Sequence, residues 1–139
     1  MAGWKLFAIL VPFVLLVDLV WLGVIMKGFY AQEIGELMRR SGGGLAPRWG
    51  AAVLVYLLIP AGIVIFVRPL LGPQTALWQA FAWGAAFGVV LYGVYDLTNL
   101  AVLEKWTLRV TLADIAWGAV LCGTCSLLVR LLDRSVDVP

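Results

Sequence analysis

Four long apolar runs leave this chain few folds to choose from. They cover residues 6–26, 49–67, 76–103 and 110–132. Crossing a bilayer core takes about 20 consecutive apolar residues. Lipid offers no partners to a bare backbone, so such runs span as helices, which satisfy their own N–H and C=O groups. The composition agrees: 63% of the residues are hydrophobic and 13% are charged, whereas an ordinary soluble domain carries about 25% charge. The expected fold class is all-α, a polytopic integral membrane protein with four transmembrane helices. Residues 1–139 form a single membrane domain. The first run has no small-residue cleavage site after it and reads as a retained span rather than a signal peptide.

Residues 28–40 follow a different pattern. Tyr30, Ile34, Leu37 and Met38 share one helical face, while Gln32, Glu33, Glu36, Arg39 and Arg40 share the other. That predicts an amphipathic helix lying in the membrane interface, with Glu36 and Arg40 spaced for an i,i+4 pair. Ser41-Gly42-Gly43-Gly44 then reads as a flexible hinge. Pro60 should kink the second span. Trp4 and Trp78 mark one interface, Trp49 and Trp106 the other. Both termini fall on one side. The opposite side carries six Lys and Arg residues against four, which places the termini outside by the positive-inside rule.

The chain contains no histidine. That excludes histidine-ligated haem and a Ser-His-Asp triad. Serine occurs only at positions 41, 126 and 135, with no nucleophile-elbow context. A net charge of +2 gives no basic surface for nucleic acid. No cofactor and no metal site are expected.

Against this apolar background, three carboxylates stand inside the spans: Asp18, Asp96 and Asp114. Asp18 lies eight residues before the end of the first run, Asp96 seven before the end of the third, and Asp114 four into the fourth. Alternating chain direction puts all three in one leaflet, on the side of the interfacial helix. At 100° per residue, Gly84, Gly88, Tyr92, Tyr95, Asp96 and Asn99 share one face of the third span. Asp18-x-x-Trp21 and Asp114-x-x-Trp117 each set a carboxyl one turn from an indole. Charged groups at membrane depth are costly and mark functional sites. No base lies deep in any run, so a proton, a cation or an inward-turned Lys27, Lys105 or Arg109 should offset the acids. For Asp96, neighbouring Tyr92 and Asn99 are the expected hydrogen-bond partners. The candidate ligand-binding residues are Asp18, Trp21, Tyr92, Tyr95, Asp96, Asn99, Asp114 and Trp117. Gly84 and Gly88 match a small-xxx-small packing motif, and Cys122 and Cys125 read as small packing groups.

The blocks Asp18-x-x-Trp21-Leu22-Gly23, Phe29-Tyr30, Gly88-x-x-x-Tyr92-Gly93-x-Tyr95-Asp96-Leu97-Thr98-Asn99, Trp106 and Asp114-x-x-Trp117-Gly118 give the chain a resemblance. It resembles a bacterial family of small four-helix membrane proteins classed as a domain of unknown function. Tyr95-Asp96-Leu97-Thr98-Asn99 is the most specific part. The resemblance implies a multi-pass protein of the bacterial inner membrane. The family's frequent encoding near cyclopropane-fatty-acid and other lipid-modification genes implies lipid as the partner.

Three functional expectations follow. The first is a pocket binding a membrane lipid or similar amphiphile in the service of lipid modification, with the acids holding the polar end and Trp21 and Trp117 forming walls. The second is a small proton- or cation-coupled transporter acting as a homo-oligomer. The third is a non-catalytic subunit packed into a larger membrane complex. Whether the chain is an enzyme stays open at this stage.

Overall fold

The computed structural model describes residues 1–136. It contains five helices and one tiny hairpin. Helix α1 spans Gly3–Val20 and continues as a π-helical turn, Trp21–Ile25. Helix α2 spans Lys27–Ile34 and tightens into a 3₁₀ turn at Gly35–Leu37. Strands β1 (Arg40–Ser41) and β2 (Gly44–Leu45) pair antiparallel. Helix α3 spans Trp49–Gly62, with a π turn at Ile63–Val67 and a 3₁₀ turn at Arg68–Leu70. Helices α4 (Leu77–Val102) and α5 (Leu108–Val136) follow. Four segments are long and apolar enough to cross a membrane: Gly3–Ile25, Trp49–Leu70, Leu77–Val102 and Leu108–Asp133.

Helix α5 is the central helix. In the most apolar stretch of its span 44% of the residues are buried, against 17–22% in the other three spans. Leu6, Leu10 and Val14 recur every four residues along α1 and meet Ile59, Ile63 and Val67 of the second segment. Leu121, Cys122, Cys125 and Val129 of α5 close that core. Both cysteines are free and buried, as packing groups should be. Outward, Leu16, Val24, Leu58 and Val90 are more than half exposed. Such a coat suits lipid tails and not water.

Helices α4 and α5 pack with the closest backbone approach. A Cβ placed on Gly88 would lie 2.0 Å from the Gly118 carbonyl oxygen, and one on Gly84 would lie 2.3 Å from that of Cys122. The sequence motif thus seats α4 on α5 of the same chain. At the terminal end, Asp133 accepts hydrogen bonds from the Met1 amino group (2.9 Å) and from Arg68 Nε (3.1 Å). Arg130 is buried and does not snorkel: its guanidinium donates to the carbonyls of Thr75 (2.9 Å) and Pro73.

Three expectations need correction. The interfacial helix stops at Leu37, not at residue 40, because Met38 turns extended and Arg40 enters β1. The Glu36–Arg40 pair therefore does not form, and Glu36 takes Lys105 instead. The glycine run is not a hinge. Gly42 and Gly43 have φ of 59° and 81°, the two positive values that a tight two-residue hairpin turn demands. Finally, Trp106 is not in an exposed aromatic belt. It is 8% exposed and donates to the Thr111 hydroxyl at 3.1 Å. Trp4, Trp49 and Trp78 do project outward.

Candidate functional site

Asp18 ends the buried stripe Leu6-Leu10-Val14 on α1. Its two oxygens accept separate hydrogen bonds, one from the Tyr56 hydroxyl at 2.6 Å and one from the Trp117 indole at 2.9 Å. Both donors are neutral. The carboxyl thus joins α1, α3 and α5 without an ion pair. Just past it the backbone widens into a π turn closed by the Met26 N–H on the Trp21 carbonyl. Single π turns recur at functional sites because they re-aim side chains. Here the turn carries Trp21, whose ring lies flat on Trp117 with centroids 4.3 Å apart.

The second carboxyl is reached through Tyr30. The Trp21 indole donates to the Tyr30 hydroxyl at 3.2 Å, and that hydroxyl donates to Asp114. Burial pushes the Tyr30 phenol above its ordinary range, and the adjoining Asp114 carboxylate pushes it the same way. Tyr30 therefore remains a donor at any pH near neutrality. The two Asp-x-x-Trp motifs are thereby crossed. Trp117 serves the aspartate of the other motif directly, and Trp21 serves Asp114 through one phenol. Similarity between two helices of opposite direction has a structural meaning: each indole covers the other and bonds across.

Asp96 is different. It is 0% exposed, and among the described residues its two oxygens are the buried side-chain atoms without a hydrogen-bond partner. Its carboxyl lies beside that of Asp114. Neither Tyr92 nor Asn99 bonds to it, which corrects the expectation drawn from helical spacing. Tyr92 is held by Gly118, where a Cβ would sit 2.4 Å from the Tyr92 ring. The inward-turned base is absent too. Lys105 pairs with Glu36, and Arg109 pairs with Glu33 at 2.8 Å. Among the described residues no ion pair involves Asp18, Asp96 or Asp114.

The remaining candidates divide. Trp21, Tyr92, Asp114 and Trp117 converge with Asp18 and Asp96. Tyr95 is 59% exposed and stands edge-on to Trp106 with centroids 5.9 Å apart. It borders the site from outside. Asn99 is half-buried and contributes no hydrogen bond to the group. Two participants were missed as site residues, Tyr30 and Tyr56. A signal existed for Tyr56: it is the lone hydroxyl in an otherwise apolar span.

Two spaces adjoin these residues. A cleft of about 700 Å³ lies beneath α2 and the hairpin, lined by the buried or half-buried Asp18, Tyr30, Asp114 and Trp117 and by the exposed Lys27 and Arg40. A groove of about 500 Å³ runs between α1, α3 and α4, lined mainly by apolar side chains such as Val55, Leu58, Ile59 and Leu91. Asp18, Leu22, Tyr92 and Tyr95 belong to both. Above the cleft α2 is tied to the start of α5. Glu33 accepts from Thr107 at 2.8 Å as well as from Arg109. Lys105 draws the Glu36 carboxyl below its usual range.

Comparison with known families places residues 4–131 in a family model described as a predicted membrane protein, DUF2177. No curated protein matches the chain, and no solved structure matches it.

Proposed function

The chain belongs to the DUF2177 family of membrane proteins, and from that premise we propose that this multi-pass protein binds a membrane lipid or closely similar amphiphile, polar end in the cleft and chain in the groove. The observation that carries this reading is that the two spaces adjoin, with Asp18, Leu22, Tyr92 and Tyr95 lining both. The cleft gathers the carboxyl, phenol and indole groups, while the groove adds an aliphatic wall of Ala52, Val55, Leu58, Ile59 and Leu91 beside Tyr56. Pockets that hold small molecules are of this size, about 300–1,000 Å³, and combine apolar walls with a few placed polar groups. A molecule apolar at one end and polar at the other matches both at once. The setting proposed for this activity is the bacterial inner membrane.

The test is direct. The full-length protein is purified in a mild detergent, and its bound molecules are read by native mass spectrometry. An acyl or other long-chain species should remain bound to the wild type. Leu91→Trp, which fills the groove, should release it while the protein keeps its melting temperature. A wild type free of any long-chain species, even after incubation with membrane lipid extract, would refute the proposal.

One observation favours a second reading. A fully buried carboxyl without a partner, beside another carboxyl, is what a proton-handling device needs. Against it, Asp96 lies six residues from the end of α4, about 9 Å at 1.5 Å per residue. Alternating-access sites lie near the midplane. Proton flux in liposomes that is lost in Asp96→Asn, with no lipid bound to the wild type, would favour this reading over the first.

A further inference from the structure

We infer that the bound amphiphile carries its charges in a particular order: chain first, then a cationic group, then an anionic group. This rests on the reading above and narrows it. The order follows from where the protein puts its own charges. Lys27 and Arg40 line the cleft from outside the spans, both exposed, and among the described residues neither is in an ion pair. Asp18 lies seven residues inside the end of the first span, and Asp114 six inside the start of α5. At 1.5 Å per residue both are about 10 Å deep. The apolar groove continues deeper still, to Ile59 and Leu91, each about 15 Å from the same side on that scale. From the surface inward the protein therefore presents base, acid, then hydrocarbon.

The acids need what such a ligand supplies. Of the two acids that line the cleft, Asp18 receives only neutral donors, and Asp114 receives the neutral Tyr30 hydroxyl. A buried charge without a partner is strongly unfavourable, and among the described residues no cation pairs with either of them. An ammonium beneath the phosphate or carboxylate of the same ligand would meet Asp18 and Asp114 while the anionic end stays with Lys27 and Arg40. A phosphoethanolamine lipid has the reverse sequence, phosphate next to the chain and ammonium outermost. It would set its phosphate on the acids. A long-chain amino-alcohol phosphate or a betaine-type lipid has the right sequence.

Three probes with saturated chains of equal length separate the possibilities: sphinganine 1-phosphate, lysophosphatidylethanolamine and lysophosphatidylglycerol. Each is titrated against the full-length protein in maltoside micelles, with binding read by native mass spectrometry. Sphinganine 1-phosphate should bind at least about tenfold more tightly than either of the others, the ratio expected from one charge-assisted contact of about 1.4 kcal/mol. Arg40→Gln, on the exposed hairpin, should weaken it, and Asp114→Asn should weaken it without changing lysophosphatidylglycerol. Equal affinity for the three probes, or a preference for either lysophospholipid, would overturn the charge order and leave amphiphile binding standing. Equal loss of every probe in Asp114→Asn would overturn the assignment of the ammonium to that acid. Failure of all three probes, with no long chain bound to the purified protein, would remove the underlying reading as well.

Discussion

Replacing Gly88 by alanine should separate the two helices that hold Asp96 and Asp114 together. The added Cβ would lie 2.0 Å from the Gly118 carbonyl oxygen and 2.5 Å from its carbonyl carbon. Ordinary contact begins at 3.4 Å, so the shortfall is 3.4 − 2.0 = 1.4 Å. The obstructing atoms are backbone and cannot rotate aside. Either α4 and α5 move apart by about that much at this level, or α4 turns. Overpacking of this kind costs about 1–3 kcal/mol, larger than the ~1 kcal/mol that alanine gains over glycine in a helix. Asp96 lies two turns further along α4 on the same side, so its alignment with Asp114 should be lost as well. The assay is thermal unfolding in detergent alongside lipid retention by mass spectrometry. Gly93→Ala is the control: it is also buried on α4, but its Cβ would meet only Ile115 at 4.0 Å. It should be neutral or mildly stabilising. If Gly88→Ala melts at or above the wild-type temperature, the close approach of α4 and α5 described above is wrong.

Three further outcomes are expected. Tyr56→Phe removes one of two donors from a carboxyl that is 8% exposed, and should lower stability by about 1–3 kcal/mol in chemical or thermal unfolding; an unchanged protein would show that the bond contributes nothing. Asp96→Leu should be neutral or stabilising by up to about 1–3 kcal/mol, because it removes a buried carboxyl that has no donor among the described residues and lies against a second carboxyl, Asp114; a clear fall in melting temperature would show that the two carboxyls hold each other through a shared proton, and lipid retention in the same variant reads whether the acid serves binding. Tyr30 should stay un-ionised above its ordinary value of 10.0. A phenol whose folded value is raised contributes stability that is complete below the unfolded value and is lost as pH rises through the folded one. Difference absorbance of wild type against Tyr30→Phe should therefore show no phenolate from this residue until well past pH 10, and its ionisation near that value would contradict the buried bond to Asp114.

The spans were legible because lipid enforces a length on them, and a run such as 76–103 differs from the observed α4 by one residue at each end. The convergence of Asp18 with Asp114 could also be read, since helix direction and rise fix depth along the bundle. What could not be read was rotation. Tyr95 and Asn99 share a broad helical face with Asp96, yet the stripe Ala80-Gly84-Gly88-Asp96 is what meets α5, and this turns Tyr95 outward. The partners of Lys105 and Arg109 were misplaced for a related reason. Their true partners, Glu36 and Glu33, lie roughly 70 residues earlier, on a helix whose docking no local pattern specifies. The hairpin, in contrast, is local: two adjacent glycines between short flanks are a turn signal, but a glycine run is equally compatible with a flexible link until the pairing of Arg40 with Leu45 is seen.

The crossed indoles also act as a mechanical key. Between them, α1 and α5 have Asp18 bonded to Trp117, Trp21 laid on Trp117, and Trp21 linked to Asp114 through Tyr30. Sliding either helix by one turn, about 5.4 Å, would break all three at once, and so would rotating it by a single residue. Greasy helices otherwise have many nearly equivalent ways to lie side by side. Here one tooth from each helix fits a notch on the other, and only one alignment lets both engage. Insertion into the bilayer and alignment of α1 with α5 are therefore separable events: the spans can be in place while the key is unturned, and a protein trapped in that condition would be fully membrane-embedded and fully helical, with Asp18 and Asp114 cut off from their donors.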